Sequence, residues 1–252
     1  MSTSLRDSVV VIAGGTGNVG PFLVRALLER EAIVVVPSRS EEKLEDFHDH
    51  LGHYVDSRRL DHLHTFIGDL SEELEAKRLR QRITEEVGTP NAVLASLGNF
   101  VTTPSLLDAS TDELRRALDG YVIAQFMVAR TFLPALKDSG GTYVFVQGPL
   151  AFEPAPAFGT DLVSIATAAQ HMLFRALAQE LDESQARVIE LIIHAFIRGR
   201  QTQPRSPLPG EAVGEFVAHL LSDGAREDFH GRSIHLRSLE QLADVRLERA
   251  NF

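Results

Sequence analysis

The chain has 252 residues, a net charge of −10 and no cysteine. The acidic balance argues against a nucleic-acid binder, which needs a basic footprint on the phosphates. Absence of cysteine excludes a disulfide framework, a thiolate metal site and a thiol nucleophile. Met1 to Asp7 shows no basic stretch followed by an apolar one, and no apolar run approaches the ~18 residues of a membrane span. The expectation is a cytoplasmic protein with no membrane partner.

In chain order, Val9 to Ala13 is a short β-branched run ending at glycines, which reads as a buried strand. Asn18 to Arg30 reads as a helix, with Val19, Phe22, Leu23, Ala26 and Leu27 at helical spacing. Ala32 to Pro37 is the second strand and Ser40 to Tyr54 a charged helix. His64 to Gly68 is the third strand. Ser71 to Val87 is a second charged helix, with Ser71 as its cap. Asn91 to Leu97 is the fourth strand. Thr111 to Lys137 reads as one long helix, because Leu114, Leu118, Val122 and Phe126 recur every four residues. Thr142 to Gln147, Arg187 to Ile193 and Ser233 to Leu236 complete the strands. Thr160 to Leu181 and Glu211 to Ser222 complete the helices. Strands alternating with helices predict an α/β fold, a doubly wound Rossmann-type parallel sheet of about seven strands. The reading is a single domain over residues 1–252. Ligands then bind at the carboxyl ends of the strands.

The strongest local signal is Gly14-Gly15-Thr16-Gly17-Asn18-Val19-Gly20, between a predicted strand and a predicted helix. Glycines permit the tight turn and let backbone approach a pyrophosphate, which then faces the helix N-terminus. Gly14, Thr16, Gly17, Asn18, Val19 and Gly20 are therefore candidate dinucleotide contacts; the alternative is a turn with no ligand. An NAD site carries an acid roughly 20 residues further on, for the ribose 2′-hydroxyl. Ile33 to Arg39 has none and ends Pro37-Ser38-Arg39. Ser38 and Arg39 suit a 2′-phosphate, so NADP(H) is favoured over NAD(H). The alternative for Arg39 is a solvated loop position.

With these residues in view, the chain resembles the short-chain dehydrogenase/reductase family over nearly its whole length. The glycine turn is similar to that of the family's extended and atypical members. Gly68-Asp69-Leu70 resembles the family's turn after the third strand, which implies that Asp69 and Leu70 meet the adenine. Ala95-Ser96-Leu97-Gly98 stands where the family has Asn-Asn-Ala-Gly, which implies cofactor contacts for Ser96 and Gly98. Phe126, Arg130 and Leu133 to Leu136 resemble the helix before the fifth strand. Arg175 to Leu181 resembles the end of the catalytic helix, and Gly231 to Leu236 the last strand.

The resemblance implies a Tyr and a Lys four apart on the catalytic helix, with a Ser and an Asn in support. Anchored on Arg175, those positions hold Val163, Thr167, the stretch Gly148 to Leu150, and Tyr121. The only lysines are Lys43, Lys77 and Lys137, preceded four residues earlier by Arg39, Glu73 and Leu133, so Tyr-x-x-x-Lys occurs nowhere. The expectation is an atypical NADP(H)-dependent oxidoreductase that does not use the standard mechanism. The alternative is a catalytically inactive NADP(H)-binding sensor or scaffold.

The candidate replacements are Tyr121, His194, Gln147 and Thr167. Each has a plainer reading: Tyr121 as a core residue with one satisfied hydroxyl, His194 as a loop histidine bonded to backbone. His48, His50, His53, His62 and His64 lack a closing thiolate or carboxylate arrangement, so no metal site is expected. Arg198, Arg200 and Arg205 occupy the family's substrate-lid region, here 195–212, as a cationic clamp or as a solvated loop. The resemblance also implies that the two long helices pair with a second copy, giving a homodimer or homotetramer. Ala166, Ala168 and Ala169 are the expected points of close approach.

Overall fold

The computed structural model describes residues 5–155, 158–195, 197–198, 201–202, 208–222 and 229–239. Seven parallel strands form one sheet: β1 (Val9–Ala13), β2 (Ile33–Ser38), β3 (Leu63–Ile67), β4 (Ala92–Ala95), β5 (Thr142–Gln147), β6 (Arg187–Ile193) and β9 (Ser233–Leu236). Their spatial order is β3-β2-β1-β4-β5-β6-β9. The order reverses between β1 and β4, which are paired through Val10 with Ala92 and Ala13 with Ala95. A doubly wound sheet opens its ligand crevice at that reversal. Two further short strands, β7 (Ile197–Arg198) and β8 (Gln201–Thr202), make an antiparallel hairpin that the sequence did not signal.

The central strands β1 and β4 are apolar throughout because helices cover both faces. Val10, Ile12, Val34 and Val36 point to one face. There they pack with Leu23 and Leu27 of α1 (Gly20–Glu29), Phe47 of α2 (Glu41–Gly52) and Phe216 of α8 (Gly210–Leu221). Their neighbours Val9, Val11 and Val35 point to the other. These meet Leu79 and Ile83 of α4 (Glu73–Glu86), Phe132 of α6 (Ala124–Ser139) and Phe174 of α7 (Asp161–Glu180). A short helix, α3 (Ser57–Leu60), was not expected and is capped by Asp56.

Three expectations are corrected. Ser71 does not cap α4: its N–H and hydroxyl both bond Asp69 Oδ1, at 2.8 and 2.6 Å, and the helix begins two residues later. The single long helix is two, α5 (Thr111–Leu118) and α6, joined by a π turn over Asp119–Ile123. The wider turn rotates everything after it. Phe126 therefore leaves the face shared by Leu114 and Leu118 and is 44% exposed, while Gln125 is fully buried. Ala166 is also fully buried, against Ala117 and Leu162 of its own chain, so it offers no surface for close approach. The outward positions in the first three turns of α7 are Ile165, Ala168 and Met172.

Candidate active site

The turn after β1 sets the first wall of the cleft. Gly14 has φ +83°, and a Cβ there would lie 2.1 Å from the carbonyl oxygen of Ser96. A Cβ on Gly20 would sit 1.8 Å from the oxygen of Gly15. Only glycine lets this turn fold under the first turn of α1. No side chain caps α1, and Pro21 supplies no N–H in its opening turn. A tight glycine turn beside an uncapped helix N-terminus fits the diphosphate of a dinucleotide.

A cavity of about 1340 Å³ opens from this turn across the carboxyl ends of β1, β4, β5 and β6. Thr16, Gly17, Asn18 and Val19 line it, as do Ser96 and Gly98. Tyr121, Gln147, Thr167 and His194, the four candidate chemical groups, line it as well. Ser38, Arg39, Asp69 and Leu70 lie outside its wall, at the ends of β2 and β3, where Ser38 pairs with Ile67. Arg39 is exposed, with Nη1 3.9 Å from Asp69 Oδ2, a separation that leaves the guanidinium free to turn. A smaller groove of about 810 Å³ between α4 and α6 carries Glu73, Lys77 and Arg130, but these pair with one another.

Val163 and Thr167 both line the cleft from α7. Thr167 spends its hydroxyl on its own helix, bonding the carbonyls of Val163 at 2.8 Å and Ser164 at 3.2 Å. His194 is committed too. Its Nδ1 accepts from Arg237 Nη1 at 3.2 Å, since a guanidinium only donates. Nε2 then carries the hydrogen and donates to His235 Nδ1 at 3.0 Å. Burial, with Arg237 next, depresses the pKa of His194, and the same two causes depress His235. Both candidate groups thus line the cleft while already hydrogen-bonded within the protein.

Gln147 donates from Nε2 to Glu190 and leaves Oε1 buried with no partner. Glu190 is the feature that sequence reasoning missed. It is fully buried, and also takes hydrogen bonds from Ser233 Oγ and from His171 Nδ1, the latter at 2.8 Å. The signal was an acid in the middle of the apolar run Arg187 to Ile193. Ser233 stands beside it because the two are register partners in β6 and β9.

Tyr121 differs from the other three. The π turn delivers it to the cleft, with its ring so close over Gly98 that a Cβ there would lie 2.3 Å from Cε1. One turn on, Gln125 anchors the end of β4 by donating to the carbonyl of Ala95 at 2.8 Å and accepting from the Tyr143 hydroxyl at 3.2 Å. Burial pushes the Tyr121 phenol up to about 12. The expected lid, 195–212, lies in good part outside the described residues, as do Arg200 and Arg205.

The switch point, glycine turn and strand-end cleft define a dinucleotide-binding fold of the Rossmann type. The chain matches the short chain dehydrogenase family over residues 8–198, and it belongs to that family of oxidoreductases. An uncharacterized oxidoreductase of Staphylococcus aureus (strain USA300) is 24% identical over 225 residues, 87% of this chain and 93% of that protein. The fold is also that of Pseudomonas aeruginosa RhlG, solved as an NADP active-site complex, with TM-score 0.79, 19% identity, and 94% and 98% of the two chains covered. A 7α-hydroxysteroid dehydrogenase complexed with NADH and 7-oxo glycochenodeoxycholic acid matches at TM-score 0.79 and 16% identity, covering 94% and 96%.

Proposed function

We propose that the protein is an NADP(H)-dependent oxidoreductase acting on a carbonyl or alcohol without the family's Tyr-Lys pair. The observation that carries the reading is the position of the turn: Thr16, Gly17, Asn18 and Val19 line the strand-end cleft beside the uncapped N-terminus of α1. Gly14 to Gly20 hold the diphosphate, Ser96 and Gly98 the nicotinamide side, and Asp69 and Leu70 the adenine. Arg39, at the end of a β2 with no acid, takes the 2′-phosphate, with Ser38 beside it. When bound, the nicotinamide supplies or accepts the hydride.

The proton is the chain's own task. Val163 cannot hold one, and Thr167 and His194 are hydrogen-bonded within the protein. Tyr121 lines the cleft, its Oη has no hydrogen bond among the described residues, and its raised pKa keeps it protonated. It donates its proton to the substrate oxygen in reduction and is reprotonated from solvent, whereas oxidation needs the phenolate that this pKa disfavours. A phenol this reluctant to ionise makes a slow acid, so turnover on generic carbonyls is slow.

The protein works in the cytoplasm as a homodimer or homotetramer. Ile123 and Phe126 of the α5–α6 segment, with Ile165 and Met172 of α7, are large apolar side chains left exposed for a second copy. Calorimetric titration with NADPH and NADH tests the cofactor reading. Tight NADPH and weak NADH binding supports it; no binding of either favours a catalytically inactive sensor or scaffold.

A further inference from the structure

Resting on the oxidoreductase reading, we infer that the substrate is a neutral, extended apolar molecule carrying one oxygen function, and not an anion or a polyol. Three observations carry this. First, the half of the cleft built after β4, β5 and β6 is walled by Leu97, Phe100, Leu150, Phe158, Val163 and Ile193. Besides Tyr121, the ionisable residues among the described lining are Asp46 and His50, from α2 in the opposite half of the sheet, and His194, whose pKa burial depresses. A carboxylate or phosphate brought against the apolar wall would lose its hydration with no described cation to replace it.

Second, most polar groups of that half are already occupied. Gln147 is tied to Glu190, His194 to Arg237 and His235, and Thr167 to its own helix. Thr160 donates to the carbonyl of Ala155 at 3.0 Å. What is left for a ligand is the hydroxyl of Tyr121 and the buried, unpartnered Oε1 of Gln147, with the hydroxyl of Ser96 near the cofactor turn. A sugar or other polyol needs several partners, and each unmatched hydroxyl is an unmet hydrogen bond.

Third, two aromatic rings stand at the mouth with most of their surface in water, Phe100 at 65% and Phe158 at 74% exposed. They are held in register. Thr103 N–H donates to the carbonyl of Gly159 at 2.9 Å, joining the loop after β4 to the loop after β5. Gly159 has φ +64°, and a Cβ there would meet the Thr103 oxygen at 2.6 Å, so the loops touch backbone to backbone. Exposed rings pinned on opposing loops of one cavity gain most from an apolar ligand between them.

The test is binding, measured by calorimetry on NADPH-saturated and on cofactor-free protein, with acetone, methyl butyl ketone, methyl octyl ketone and decanoate as probes. Ketone affinity is expected to rise about two- to fourfold per methylene, with decanoate at least tenfold weaker than methyl octyl ketone. The exposed-residue variant Phe100→Ser/Phe158→Ser should weaken methyl octyl ketone on the order of tenfold and leave the NADPH Kd unchanged. Flat chain-length dependence, or decanoate binding as well as the ketone, overturns the substrate class while NADPH binding keeps the oxidoreductase reading. Chain-length-dependent ketone binding without NADPH binding does the reverse.

Discussion

The two halves of the sheet solve different problems with different parts of the chain. Around β1 to β3 the site is made of backbone: glycines, an uncapped helix end, and exposed side chains such as Arg39 that have little else to do. Around β5, β6 and β9 it is made of side chains, and nearly all of them are bonded to one another. Glu190 gathers Gln147, His171 and Ser233, and His194 is locked between Arg237 and His235. A binding element built from backbone survives changes of side chain. A proton-transfer element does not, and here the polar groups of the second half serve packing instead.

That contrast can be broken from either side. The largest effect is expected from Tyr121→Phe, which removes the uncommitted phenol of the cleft: turnover on a ketone found by the binding screen should fall on the order of 10²–10⁴-fold. The NADPH Kd should hold within about twofold, since the ring still packs over Gly98. Steady-state rates and calorimetry on the same preparation check both. Gly14→Val, which combines a left-handed φ with a clash against Ser96, should lower NADPH affinity by about 100-fold or more.

Glu190→Leu strikes the second half. It strands the donors of Gln147, His171 and Ser233 and should lower stability by roughly 3 kcal/mol or more in denaturant unfolding. NADPH affinity at low temperature should change little, because no described cofactor contact touches Glu190. Arg39→Ala reverses the pattern: stability unchanged, NADPH about 10- to 100-fold weaker, NADH unaffected.

The smallest effect is in pH. His194 and His235 have lowered pKa values in the folded chain, through burial first, so the unfolded chain takes up protons before they do. Their contribution to stability is present above about pH 6.5 and declines as pH falls below it. A Tm series from pH 8 to pH 5 should show that decline, roughly halved in His235→Phe.

Much of the fold was legible in the chain because parallel strands buried on both faces must be apolar runs. The bounds of β5, β6 and β9 coincide with the expected ones. The glycine turn was legible for a related reason: positive φ and backbone contact leave one residue type able to occupy them. What the chain alone determined was thus the local alternation of elements, the turn, and the absence of any Tyr-x-x-x-Lys. Tertiary structure decided the rest, because it depends on contacts between residues distant in sequence. The π turn that exposes Phe126 and aims Tyr121 is set by packing against Gly98 and the end of β4, not by periodicity. The commitment of Gln147 and His194 arises from partners 43 and 41 residues away, on strands that only the folded sheet makes neighbours.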